Sequence, residues 1–284
     1  MKVLAGKVVV LTGASPGIGR FIARALASEQ ATVVGVSLSK EELDKMIAEI
    51  EAMGGKGVGI PFDLNNIQEL PTLVAEIKSS VGSVDILINN AGIEKYRAFK
   101  DYSLKDLQSV LSVNLLAAIE LSRLLLPEML KRGSGHIVNI ASLAGKKGHP
   151  YDSIYSASKA GLLIWSDALR QELVGTGVGI STICPGYISQ VGMFANTEIP
   201  APGLAGTSQP VDVANATIAA IVHNKAEVIV NKDLITVVLT KLLFAICQFF
   251  PDLGDAVYRW IGVTRLNKMR VGNQISDNNM KEHS

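Results

Sequence analysis

The stretch Lys7-Val8-Val9-Val10-Leu11-Thr12-Gly13-Ala14-Ser15-Pro16-Gly17-Ile18-Gly19 decides how the chain is read. Lys7 to Thr12 is an apolar run too brief for a helix, so it is predicted as a buried strand. Arg20 to Glu29, after the glycines, reads as a helix. The glycines between them let the backbone turn tightly and approach a ligand closely. The start of the helix adds free N–H groups and the positive end of a dipole, which together suit a phosphate. The spacing G-x-x-x-G-x-G differs from the commoner dinucleotide turn G-x-G-x-x-G. Its place at the first strand-to-helix turn is what gives it weight.

Outward from this turn the pattern repeats. Ala31 to Ser37, Lys56 to Phe62, Val84 to Ile88, Gly135 to Ala141, Val178 to Ile183 and Glu227 to Val230 are further predicted strands, rich in Val, Ile and Leu. Helices are predicted between them. Lys40 to Met53 follows a Ser39/Glu42 capping box, and an Asn65/Gln68 cap opens a helix to Val81. Leu104 to Lys131, Tyr155 to Val174 and Val211 to His223 complete the set. Alternation of this kind predicts an α/β fold: one doubly wound, Rossmann-like domain over residues 1–230, with a parallel sheet of about seven strands and helices on both faces. Ligands of such sheets bind beyond the carboxyl ends of the strands. The glycine turn, Asp63, Asn90, Ser142 and Pro185-Gly186 all fall at such ends.

The net charge of +1 gives no electrostatic reason to expect nucleic acid. Hydrophobic residues make up 48% of the chain, which implies a fully buried sheet, an apolar contact surface, or both. Cys184 and Cys247 have neither metal-ligand spacing nor a disulfide framework, so no metal is expected and a reducing compartment fits. No basic-then-apolar leader precedes the first strand, and no stretch has the length expected of a spanning helix. A cytoplasmic location is expected, with membrane association as one reading of the C-terminal part.

Chemistry is concentrated between Ser142 and Lys159. Tyr155 and Lys159, four apart, share a helix face. A phenol titrating near ~10 is a poor acid–base group at neutral pH, and a fixed ammonium beside it favours the phenolate. Ser142 follows the predicted strand Gly135 to Ala141 and can face the same substrate oxygen. The plainer reading is a buried Tyr at a helix start and a surface Lys; what precedes the pair decides against it.

Thr12-Gly13-x-x-x-Gly17-x-Gly19, Asn89-Asn90-Ala91-Gly92, Asn114, Ser142, Tyr155-x-x-x-Lys159 and Pro185-Gly186 together resemble the short-chain dehydrogenase/reductase family, in its order and at its spacing, over residues 5 to 230. The resemblance implies an oxidoreductase moving hydride between a nicotinamide and a carbonyl or secondary alcohol. Tyr155 would be the acid–base, Lys159 would lower its pKa and bind the nicotinamide ribose, and Ser142 would hold the substrate oxygen. Asn114 would position a proton-relaying water. Gly13, Ser15, Gly17, Ile18 and Gly19 would hold the pyrophosphate side, Asp63 and Leu64 the adenine, and Asn90 the adenosine. Pro185, Gly186 and Ile188 would lie along the nicotinamide. The family often has a Thr a few residues after Pro-Gly; here Gln190 stands there, beside Ser189. A homodimer or homotetramer is implied.

Enzymes of this architecture that use NAD place an acid at the end of the second strand. Here Val36-Ser37-Leu38-Ser39-Lys40 carries none, which favours NADP, with Ser37, Ser39 and Lys40 near a 2′-phosphate and NAD as the alternative cofactor. A second functional class stays open: a nucleotide-binding module without catalysis, serving as an assembly or membrane partner.

Residues 231–271 form an apolar helical extension. Leu234 to Phe250 carries one charge, Lys241, and is read as amphipathic rather than transmembrane. Three readings stand: packing on its own domain or a symmetry mate, peripheral membrane contact through 234–250, or a lid over a hydrophobic pocket. The last two imply a sterol-like or long-chain acyl substrate. Residues 272–284 are polar and expected to be disordered.

Overall fold

In the computed structural model, residues 3–14, 16–192, 199, 201–202 and 207–282 are described, with side chains through Gly272. The strands are β1 (Val8–Thr12), β2 (Thr32–Ser37), β3 (Lys56–Pro61), β4 (Ile86–Asn89), β5 (Gly135–Ile140), β6 (Val178–Pro185) and β7 (Glu227–Val230). They form one seven-stranded sheet in the order β3-β2-β1-β4-β5-β6-β7. Every neighbouring pair is parallel. Strand order reverses between β1 and β4, which opens a crevice at their carboxyl ends.

The helices are α1 (Ile18–Ser28), α2 (Lys40–Ala52), α3 (Leu70–Val81), α4 (Leu104–Leu111), α5 (Ala117–Arg132), α6 (Ser153–Glu172) and α7 (Pro210–His223). Successive strand residues point to opposite faces. Val9 and Leu11 therefore pack with Ile22 and Leu26 of α1, Met46 of α2 and Ile221 of α7. Val10 packs on the other face with Leu73 of α3 and Leu121 and Leu125 of α5. Each such Leu or Ile, fully buried, contributes about 1.5–3 kcal/mol. All residues of β5 and β6 are buried, as a sheet covered on both faces requires.

Two helices differ from the sequence expectation. The Asn65/Gln68 cap does not form: Asp63 Oδ1 accepts the Asn65 backbone N–H at 2.9 Å and its amide at 3.0 Å, making a turn. α3 starts only at Leu70, with Pro71 in its first turn, where no backbone N–H is needed. The helix read as Leu104 to Lys131 is broken by a π turn over Ser112–Leu116. Its 29 residues, Leu104–Arg132, are long and apolar enough to cross a membrane. They are spent on the core instead, with Leu121, Leu125 and Met129 buried against the sheet.

The chain then adds α8 (Leu234–Phe249), α9 (Pro251–Trp260) and α10 (Val263–Glu282). Asp233 caps α8, accepting from Thr236 N at 2.8 Å. Pro251 occupies the first turn of α9, and Gly254 lies so close to Cys247 that a Cβ there would approach its Cβ within 2.9 Å. This contact folds α9 back on α8. α10 continues to Glu282. A helix already nucleated at Val263 adds residues with one hydrogen bond each and without a new nucleation cost.

Candidate active site

Across the switch point, Asn90 joins the glycine turn to the end of β4. Its Nδ2 donates to Thr12 O at 3.1 Å and Gly13 O at 2.8 Å. Thr12 Oγ1 accepts the N–H groups of Asn90 and Ala91 at 3.0 and 3.1 Å. A Cβ on Gly13 would come within 2.7 Å of Ala91 Cα, so the turn has no room for a side chain there. Gly17 stands just before α1 with φ +89°, a conformation that favours glycine. The N–H groups of Ile18 and Gly19 open the helix and have no intrahelical acceptor. These features fit a pyrophosphate. Ser15 lies outside the described residues.

The cavity beside this turn has a volume of about 410 Å³. It brings together Ile18, Asn90, Ser142, Tyr155, Lys159, Pro185, Gly186 and Ile188. Gly13, Gly17, Gly19, Ser37, Asp63 and Leu64 do not line it; they sit around the neighbouring ends of β1, β2 and β3. Ser39 and Lys40 are otherwise engaged, the first accepting from Glu42 N at 3.3 Å and the second paired with Asp44 at 2.7 Å. Ser189 Oγ donates to Ser208 O at 3.1 Å, and Gln190 has φ +72°.

Tyr155 and Lys159 project from the first turns of α6, and Ser142 from the end of β5. Tyr155 and Ser142 line the same cavity, and Ser142 Oγ accepts from Ala144 N at 3.1 Å. Lys159 Nζ donates to Ile140 O at 2.8 Å and lies 5.7 Å from the Tyr155 ring centre. Burial holds the Tyr155 phenol above its ordinary pKa; Glu94 and Asp152 add to this and the Ser142 hydroxyl opposes it. Burial also pulls Lys159 down from 10.5 to about 8. Asn114, 1% exposed, sits in the π turn. It accepts from Ile93 N at 2.8 Å, and donates to Ile93 O at 2.9 Å and Ser158 Oγ at 3.1 Å. Its side chain thus ties the segment after β4 to α6, outside the cavity lining. Such one-turn π insertions are frequent at functional sites.

Two loops that the sequence marks as shaping the pocket, Glu94 to Phe99 and Leu143 to Tyr151, bring Glu94 and His149 to the cavity. Sequence reasoning missed Asp152, which lines it too, and Arg270 of α10, buried beside them. The Arg270 guanidinium lies 5.4 Å from the Tyr96 ring centre and 5.7 Å from that of Tyr187. Asn267, one turn earlier, donates to Pro150 O at 2.9 Å and accepts from Arg270, which locks α10 to the loop before α6. Burial raises the Glu94 carboxyl to about 7, while Arg270 pulls it back down. Burial and Glu94 raise Asp152 in the same direction. The remaining walls are apolar, from Leu239, Leu243 and Phe244 of α8 and Val257 and Tyr258 of α9. The mixed polarity of the two loops gave none of their residues a role, and nothing local marked Asp152 or Arg270.

A family model described as short chain dehydrogenase matches residues 7–200. The chain belongs to the short-chain dehydrogenase family. This short-chain dehydrogenase is 56% identical over 277 residues to "Ketoacyl reductase HetN" of Nostoc sp., covering 98% of this chain and 96% of that relative. It is 35% identical over 190 residues to a 3-oxoacyl-(acyl-carrier-protein) reductase of Synechocystis sp., covering 66% of this chain and 77% of the other. A crystal structure of a metagenomic short-chain oxidoreductase in complex with NADP superposes with a TM-score of 0.71 at 31% identity, over 81% of this chain and 99% of that one. Its oxidoreductase class and Rossmann-like sheet agree with the reading of the sequence.

Proposed function

We propose that this chain is an NADP-dependent carbonyl reductase, running as an alcohol dehydrogenase in reverse, and that its substrate is apolar. The observation that carries the reading is that Tyr155, Ser142 and Lys159 meet in one cavity, the Lys159 ammonium 5.7 Å from the Tyr155 ring centre, under walls from α8 and α9. When bound, the nicotinamide supplies the hydride. Tyr155, kept protonated by burial, gives its proton to the carbonyl oxygen as that oxygen becomes an alkoxide. Ser142, which lines the same cavity, orients the oxygen. Lys159, as an ammonium, stabilises the phenolate left when the proton is given up, and holds the ribose. Asn114 keeps the segment next to Lys159 in place and positions the water that returns the proton.

The absence of an acid at the end of β2 and the NADP-bound structural neighbour favour NADP over NAD. The names of the relatives favour a ketoacyl chain over a sterol-like ketone. We assign residues 1–230 to cofactor binding and catalysis and 231–271 to the substrate wall, and expect a homodimer or homotetramer. The test is oxidation of NADPH and NADH against ketones and 3-ketoacyl thioesters of graded chain length. Activity that rises with chain length and prefers NADPH supports the proposal. Efficiency tenfold better with NADH overturns the cofactor assignment. Cofactor binding without turnover of any substrate moves the chain to the non-catalytic class.

A further inference from the structure

Ten of the 21 exposed large apolar side chains among the described residues fall between Leu234 and Trp260. On α8, Leu234, Ile235, Leu242 and Phe249 are all more than half exposed, and Cys247 is the buried residue of that helix. Phe250 and Trp260 extend the patch to the two ends of α9. Scattered apolar side chains need no explanation; a contiguous patch on one helix pair does. α8 contains no acidic residue. At 16 residues it is about 24 Å long, short of the ~30 Å needed to span a bilayer.

Charge lies beside this face. Arg259, Arg265 and Lys268 line one surface groove with Thr264 and Met269, and no ion pair engages these three cations among the described residues. Lys232 and Lys241 flank and interrupt the apolar helix. The acids of the region are fewer: Asp233 caps α8, Asp255 is paired with Lys147 at 2.6 Å, and Asp252 is exposed in the first turn of α9. An apolar face bordered by Lys and Arg, with a Trp at its edge, matches a helix lying in the interface of an anionic bilayer.

The same residues frame the cavity. Leu239 and Trp260 are 58% and 77% exposed and also line the space that ends at Tyr155. The opening therefore lies on the apolar face. We propose that the protein docks on an anionic lipid surface through the outer face of α8 and the ends of α9. A hydrophobic substrate then passes from the lipid into the cavity between Leu239 and Trp260. The docking is independent of the reductase assignment; the route of the substrate rests on it.

The test is sedimentation of the full chain with phosphatidylcholine vesicles, with and without one-third phosphatidylglycerol. The comparison is the double variant Ile235→Glu, Phe249→Glu. Both positions are exposed, so folding is preserved, as circular dichroism and NADPH binding will show. Pelleting with anionic vesicles, weakened at high salt and reduced at least tenfold in the variant, supports docking. Protein left in the supernatant with both vesicle types overturns it. So does equal pelleting with the neutral vesicles, or a dimer that the variant dissolves without vesicle binding by the parent, which would make a second copy the occupant. None of these readouts needs turnover, so failure of the reductase reading leaves them intact. Given turnover, the substrate route is supported if vesicles raise the rate on a long-chain ketone at least threefold in the parent only, and overturned if they do not.

Discussion

The floor and the roof of the cavity are built by different means. The floor comes from the sheet: Ser142 stands two residues beyond the buried strand β5, and Tyr155 and Lys159 lie in the first turns of α6, so their spacing is set by elements that cannot shift without opening the core. The roof comes from α8 to α10, which rest on a few contacts, among them Asn267 with Pro150, Lys147 with Asp255, and Asn231 with Thr240 at 3.1 Å. The more apolar helix is the less covered one: α5, with five charged residues, buries Leu121, Leu125 and Met129 against the sheet, whereas α8, with one, leaves most of its apolar side chains exposed. A rigid floor suits proton transfer, which needs fixed geometry. A lightly held, greasy roof suits selection and entry of a substrate.

The sharpest break between the regions is chemical. Tyr155→Phe is expected to lower kcat by about 10²–10⁴-fold, the usual worth of a positioned acid, with NADPH affinity unchanged by fluorescence titration. Leu243→Ala in the roof is expected to alter KM for long substrates much more than kcat. A matching loss of kcat in the second variant would erase the distinction.

Stability gives the next contrast. Leu125→Ala, at a position 2% exposed in α5, is expected to cost about 2–5 kcal/mol in urea unfolding. Leu242→Ala, 56% exposed in α8, is expected to stay within about 0.5 kcal/mol. Equal losses would mean that α8 is covered in the folded protein.

The junction of floor and roof titrates. Glu94 is raised by burial from 4.5 to about 7, so its protonated form is the one the fold favours. Its contribution to stability is full below about 4.5 and is lost as pH rises through 7. Glu94→Gln is therefore expected to flatten the fall in stability over that window. Arg270→Gln, which removes the cation that opposes this shift, is expected to move the titration above 7, read by unfolding at several pH values or by carboxyl NMR. No movement would show that α10 does not reach the site in solution.

The smallest effect is expected at the glycine turn. Asn90→Ala deletes two hydrogen bonds to Thr12 and Gly13, each worth about 0.5–1.5 kcal/mol. The turn should loosen, and cofactor affinity should fall more than global stability. The opposite ranking would make Asn90 a packing residue alone.

Much of this was legible before any coordinates. Seven strands, their alternation with helices and the doubly wound class follow from short-range rules: near-continuous Val, Ile and Leu in runs of strand length, capping signals before helices, glycine where the backbone must turn. The gathering of Asn90, Ser142, Tyr155 and Lys159 follows as well, because each stands at the end or start of an element whose direction a parallel sheet dictates. The break at Ser112–Leu116 was not legible, since Asn114 takes its partners from Ile93 and Ser158, on other elements. Nor was the false cap at Asn65, where Asp63 competed for the same N–H.

The sequence by itself determined the strands, the glycine turn and the Tyr155–Lys159 pair, because each depends on residues a few positions apart. Only the tertiary structure decided that Arg270 stands among Glu94, Asp152 and Tyr96, that α10 persists to Glu282, and that the apolar side of α8 faces outward beside the cavity mouth. Those facts depend on how a long chain returns upon itself. Hydrophobicity is not directional, and a run of apolar residues carries no record of what will cover it.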